Sequence, residues 1–264
     1  MKLDLTGKTA LVTGSTAGIG FAIAKGLAEC GAATIVNGRT GQRVTAAVEA
    51  IKKGQPDAKV SGIAADLASD PGMAMAIKQL PTVDILVNSL GIFEPKAFLE
   101  ITDEDWNRFF QTNVMTAVRL TRHCLPAMIH SKWGRVIFIS SESAIQIPSE
   151  MIHYGMTKTA QLAIARGLAE SLAGTGVTVN SVLPGPTRSE GVEAFVEDLS
   201  QRNNTTPAQT ERDFFKTMRP SSLLQRFITP KEVANLVVYV ASREASATTG
   251  AALRVDGGVV RSII

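Results

Sequence analysis

Apolar positions along this chain fall into two alternating kinds of run. Short β-branched runs with no polar alternation occupy 9–13, 34–37, 60–64, 85–88, 136–140, 177–183 and, more weakly, 252–255. Between them, apolar residues return every three or four positions over 19–30, 41–53, 72–79, 103–130, 154–173 and 230–241. Uninterrupted apolar strands suit a parallel sheet buried on both faces, and the longer period is that of helices covering it. The repeated strand-helix order predicts an α/β fold: a doubly wound, mostly parallel sheet. Two helix starts are explicit. Thr102 precedes Asp103, with Asp105 three residues after the cap, and Thr229-Pro230-Lys231-Glu232 joins a cap, a first-turn proline and a returning glutamate.

With 264 residues, 45% of them hydrophobic, the chain can bury one large core, and one domain over 1–264 is expected. The 27 basic and 24 acidic residues are spread without blocks, so no nucleic-acid arm or membrane patch is expected. Lys25 and Glu29 interrupt the longest apolar candidate for a membrane span, and Met1 leads directly into a strand-like segment without signal-peptide features. A cytoplasmic protein is the resulting expectation. Cys30 and Cys124 lack metal-ligand spacing and read as small buried thiols, so no metal is expected. The rhythm breaks over 188–226, a long insertion carrying Phe195, Phe214, Phe215 and Met218. Loops of this length are uncommon unless they cover a site, so a substrate lid is expected; a solvated excursion is the alternative.

Candidate chemistry begins at Thr13-Gly14-Ser15-Thr16-Ala17-Gly18-Ile19-Gly20, between the first strand and first helix. Glycines there permit a tight turn and close backbone approach, and the helix N-terminus offers free N–H groups to a pyrophosphate. The second strand ends in Asn37-Gly38-Arg39-Thr40. No carboxylate stands there to bind the 2′-hydroxyl of NAD, whereas Arg39 suits the 2′-phosphate of NADP. NADP is therefore expected, NAD being the alternative if Arg39 only stacks on adenine. Asp66 and Leu67, after the third strand, are placed for adenine; a strand-end cap serves Asp66 equally well. Further on, Tyr154 and Lys158 stand four residues apart, on one helix face. A lysine charge held there favours the phenolate, which predicts a lowered tyrosine pKa and a proton donor and acceptor near neutral pH. Ser141, upstream, completes the set. His153 is expected at a pocket wall or the surface, because adjacent helix positions do not face each other.

These residues together resemble the short-chain dehydrogenase/reductase family over essentially the whole chain. The turn Thr13–Gly20 matches its cofactor motif, Asn113 its active-site asparagine, Ser141 its serine, and Tyr154 and Lys158 its catalytic pair. Pro184-Gly185 with Thr187 matches the segment flanking the nicotinamide. Where the family usually has Asn-Asn-Ala-Gly, this chain has Asn88-Ser89-Leu90-Gly91, so Asn88 and Gly91 are retained while Leu90 adds bulk near the adenosine ribose or the sheet. The resemblance implies a seven-stranded Rossmann-type sheet of order 3-2-1-4-5-6-7, a homotetramer or dimer, and a proton relay through a water held by Asn113. It further implies hydride transfer between NADP(H) and a small carbonyl or secondary alcohol. Substrate contacts are expected from Ser141, Glu142, Ile145, Met151 and Tyr154. Two other readings stay open: an NAD-dependent alcohol dehydrogenase of the same fold, and a non-catalytic regulator that senses the dinucleotide.

Overall fold

The computed structural model describes residues 3–202 and 204–263. Seven strands lie in one sheet: β1 (Thr9–Val12), β2 (Ala33–Gly38), β3 (Val60–Ala64), β4 (Ile85–Asn88), β5 (Gly134–Ile139), β6 (Val177–Pro184) and β7 (Ala252–Val255). The order is β3-β2-β1-β4-β5-β6-β7, and every pairing is parallel. Helices alternate with the strands: α1 (Gly18–Glu29), α2 (Gly41–Gly54), α3 (Asp70–Gln79), α4 (Asp103–Phe110), α5 (Thr116–His130), α6 (Ile152–Ser171), α7 (Glu190–Arg202), α8 (Pro207–Thr217) and α9 (Pro230–Ala241).

The unbroken apolar strands have their expected cause. Ala10, Val12, Ile85, Val87, Ile137 and Ile139 face a core layer closed by α1, α2 and α9. The intervening Leu11, Leu86, Val136 and Phe138 face a second layer, closed by α3, α5 and α6. With both faces buried, most alternate positions of both sets are apolar, and buried polar residues in the strands, such as Asn37 and Asn88, are hydrogen-bonded. Burying each large side chain stabilises the fold by about 1.5–3 kcal/mol. Both expected capping boxes form, at Thr102 with Asp105 and at Thr229 with Glu232.

One predicted helix is not continuous. The pattern over 103–130 divides into α4 and α5 around a wide π-helical turn, Gln111–Met115. Such a turn leaves the apolar period nearly intact, which is why periodicity alone passes over it. The 188–226 stretch contains α7 and α8, joined to the loop at Phe227 by a small cluster of Val196, Phe215 and Phe227 with Phe214 packed on it. The Phe195 side chain lies outside the described residues.

Because β1 has β2 on one side and β4 on the other, the chain reverses its direction of travel there. In open α/β sheets the crevice at that switch point, beyond the carboxyl ends of the strands, is where ligands sit.

Candidate active site

The crevice is built first from main-chain groups held by short polar side chains. Thr13 Oγ1 accepts hydrogen bonds from the N–H groups of Ser89 and Leu90, both at 2.9 Å, which clamps the loops after β1 and β4 together. Ala17 occupies the cap position of α1 and supplies no side-chain acceptor. The first-turn N–H groups are thus left for another partner. Gly20 is required by contact: a Cβ there would stand 2.4 Å from the Gly14 carbonyl oxygen. Gly38 is equally confined, since its Cβ would fall 2.4 Å from Thr16 Cγ2.

Asn37, which the sequence reading passed over, braces this turn. Its Oδ1 accepts from Gly14 N–H at 3.2 Å, and its Nδ2 donates to the carbonyls of Ile63 and Ala65, both at 3.2 Å. The available signal was an amide residue closing an otherwise apolar β-branched run; its burial is visible only in the fold. Arg39 is exposed beyond it and makes no ion pair among the described residues, while Thr40 caps α2 through Arg43 N–H. Asp66 is exposed and accepts from Ala68 N–H at 3.1 Å; the cap of α3 is Ser69 instead. Unclaimed helix donors, glycines without room for a Cβ and a free guanidinium at the strand end suit a dinucleotide phosphate chain.

Two expected cofactor contacts are confined to the main chain. The Leu67 side chain is buried in the second core layer, so only its main chain is left for a nucleotide. The Asn88 amide turns inward and donates to Thr121 Oγ1 at 3.2 Å. Leu90 also turns inward: it packs on that same layer and lies against Gly14, which places its bulk on the sheet side.

The remaining groups converge from β5, α6 and the π-helical turn. Asn113 is fully buried there. Its Oδ1 accepts from Ile92 N–H at 2.8 Å, and its Nδ2 donates to Ile92 O and to Thr157 Oγ1, both at 3.0 Å. Its main-chain carbonyl accepts from Gln161 Nε2 at 2.6 Å. Asn113 therefore ties the loop carrying Gly91 to α6, and the carbonyl at the position expected to hold a relay water already has a side-chain partner. Lys158 is buried, its Nζ donating to Ile139 O at 2.9 Å, while Ser140 Oγ donates to Lys158 O at 2.9 Å. The ammonium stands 5.6 Å from the centre of the Tyr154 ring. Burial lowers the Lys158 pKa to about 8.

Tyr154 departs from expectation. Enclosure raises its phenol well above the usual value, the Glu142 carboxylate adds to this, and the Ser141 hydrogen bond and Arg219 charge oppose it. Lysine proximity does not by itself overcome burial and a neighbouring carboxylate. His153 also departs: it has no exposed surface and packs on Phe109 at 4.0 Å between ring centres, with Trp106 at 6.0 Å. Among the described residues neither ring nitrogen has a hydrogen-bond partner, and burial lowers its pKa.

Two adjoining cavities share Phe93, Ser141, Tyr154, Gly185 and Val192. One, of about 200 Å³, runs from Ile19 and Gly91 past Lys158 to Pro184 and Thr187. The other, of about 210 Å³, is walled by Glu142, Glu150, Met151, Phe214, Met218 and Arg219. Ile145, expected at the substrate, is 41% exposed and lines neither cavity. Glu150 and Arg219 were not singled out from sequence; Arg219 lies 77 residues from the glutamate it meets, and no local pattern links them.

No described helix is long and apolar enough to cross a membrane. A family model described as enoyl-(acyl carrier protein) reductase matches residues 14–260. The chain is 51% identical to the uncharacterized oxidoreductase YvaG of Bacillus subtilis (strain 168), covering 100% of both. Among solved structures it is similar to L-sorbose reductase from Gluconobacter frateurii complexed with NADPH and L-sorbose, with a TM-score of 0.94, 29% identity and full coverage of both chains. It is also similar to a short chain dehydrogenase/reductase family protein, at a TM-score of 0.84 and 32% identity over 98% of each chain.

Proposed function

The chain belongs to the short-chain dehydrogenase/reductase family of oxidoreductases, and from that premise we propose that it transfers a hydride between NADP(H) and a small carbonyl compound or secondary alcohol. The observation that carries this reading is the meeting of Tyr154, Ser141 and Lys158 where the glycine-turn crevice opens into the second cavity. The likeness to a reductase solved with NADPH and L-sorbose supports the cofactor and a compact substrate.

Bound NADP(H) supplies the hydride and its acceptor chemistry. The turn from Gly14 to Gly20 holds the pyrophosphate on the free donors of α1. Arg39 pairs with the 2′-phosphate, Asp66 and the Leu67 main chain border adenine, and the main chain at Asn88 and Gly91 borders the ribose. Pro184, Gly185 and Thr187 border the nicotinamide. Tyr154 hands its phenolic proton to the substrate oxygen in reduction and takes it back in oxidation. Its raised pKa keeps that proton in place until a partner arrives. Lys158 keeps its cation beside the phenol and lowers the cost of the phenolate that forms. Ser141 hydrogen-bonds the same substrate oxygen, Glu142 and Met151 border the rest of the molecule, and α7 and α8 act as a lid that excludes water.

The test is a panel of ketones offered with NADPH and with NADH, followed at the reduced-nicotinamide absorbance. Turnover with NADPH, at higher kcat/KM than with NADH, is expected. Absence of oxidation with any carbonyl under both cofactors overturns the reading.

A further inference from the structure

Resting on the hydride-transfer reading above, we propose that Glu142 reads a substrate hydroxyl on the carbon next to the reacting carbonyl. The enzyme's substrates are then α-hydroxy ketones in reduction and vicinal diols in oxidation. Glu142 and Ser141 are each 6% exposed, at the floor of the outer cavity. Ser141 has one hydroxyl proton, and while Tyr154 keeps its own proton it is given to Glu142 Oε2 at 2.5 Å, turning to Tyr154 only when the tyrosine is a phenolate. One lone pair of the Ser141 oxygen accepts Ser143 N–H at 3.1 Å. A ketone oxygen arriving at Tyr154 therefore meets a serine with no proton to offer it.

For Ser141 to polarise the carbonyl, its proton must swing away from Glu142. That strips a buried carboxylate oxygen of its donor, a loss that is large for a charged group. A hydroxyl on the adjacent carbon removes the difficulty. It reaches Glu142 Oε2 from the same side, replaces the serine proton and frees it for the carbonyl oxygen. A plain ketone of the same size has no such replacement.

The carboxylate cannot turn aside to avoid the choice. Its other oxygen, Oε1, is held by Arg219 Nε at 3.3 Å. Arg219 is itself fixed by Glu150 Oε1 at 3.3 Å and by the Met218 carbonyl at 2.8 Å. Arg219 follows α8, so the lid holds Glu142 in its reading position. Two carboxylates share this one guanidinium, which leaves excess negative charge at the cavity wall. A 2-oxo acid, whose carboxylate would take the place of the hydroxyl, is repelled there.

The experiment compares 3-hydroxy-2-butanone, 2-butanone and 2-oxobutyrate on the full chain with saturating NADPH. The expected wild-type kcat/KM for the hydroxyketone exceeds that for the plain ketone by at least about tenfold, with the oxo acid below both. In the double variant Glu142→Leu/Arg219→Leu the preference for the hydroxyketone collapses to within about threefold of unity. NADPH fluorescence titration and a melting curve report whether that variant is folded. If it is not, Glu142→Gln, which keeps the shape and weakens the acceptor, is expected to cut the preference several-fold. Equal use of both ketones by the wild type overturns the proposal while leaving hydride transfer intact, as does a preference unchanged in the variants, which would mark it as intrinsic reactivity. Turnover of no carbonyl at all removes the hydride-transfer reading and this proposal with it.

Discussion

The inner and outer halves of the crevice are built by different means. The inner half presents mostly main chain, the Gly14–Gly20 turn and the uncapped start of α1, braced from behind by the Thr13 and Asn37 side chains. Its parts are close in sequence or fixed by adjacent strands. The outer half is made of side chains from distant segments, with Glu142 after β5 held by Arg219 from beyond α8. Main-chain construction suits a ligand whose phosphates are the same in every turnover. Charged side chains that meet across a lid suit a choice between similar small molecules, because one substitution alters the choice without disturbing the sheet.

The strongest way to break this comparison is at the border between the halves. Tyr154→Phe is expected to lower kcat about 10²–10⁴-fold while NADPH affinity, measured by fluorescence titration, stays within about twofold. Loss of binding with loss of turnover would mean that the phenol belongs to the inner half. Next comes Gly20→Ala, which forces a methyl onto the Gly14 carbonyl. Overpacking of this kind costs about 1–3 kcal/mol, so NADPH affinity is expected to fall about thirtyfold. An unchanged dissociation constant would show that the turn is not held by backbone contact. Arg39→Asp sharpens the picture further, with NADPH affinity expected to fall about tenfold more than NADH affinity; equal losses in parallel titrations would deny Arg39 the 2′-phosphate.

The smallest effect is in pH. Lys158 carries its charge below about pH 8 and loses it above. The kcat/KM for NADPH should then plateau at lower pH and decline through that value, standing about fourfold below the plateau near pH 8.5. A flat profile would detach the ammonium from cofactor binding.

What could be read from the chain follows the same division. Gly14, Gly18 and Gly20, the Tyr154-Lys158 spacing and both capping boxes are local, and short-range geometry fixes their meaning. The wide turn at Asn113 escaped because it barely alters the apolar period. Arg219 was one charge among many in a polar insertion, and only tertiary packing brings it to Glu142. The lowered tyrosine pKa was inferred from a single neighbour, whereas enclosure and the Glu142 charge outweigh that neighbour in the folded chain. Angular distance from Tyr154 sets His153 at a pocket wall or the surface, but its burial against Phe109 depends on the approach of α4.

The tight fit of Gly38 against Thr16 has a consequence for how this enzyme could acquire a different nucleotide preference. An acidic residue introduced at position 38 to favour NAD would drive its first side-chain carbon into the threonine methyl. Asn37 offers no alternative foothold, because its amide is committed to three main-chain groups. A switch at position 38 must therefore come in a pair, with Thr16 trimmed to alanine or glycine before or together with the acid. A lineage that acquires the acid first passes through a weakened intermediate.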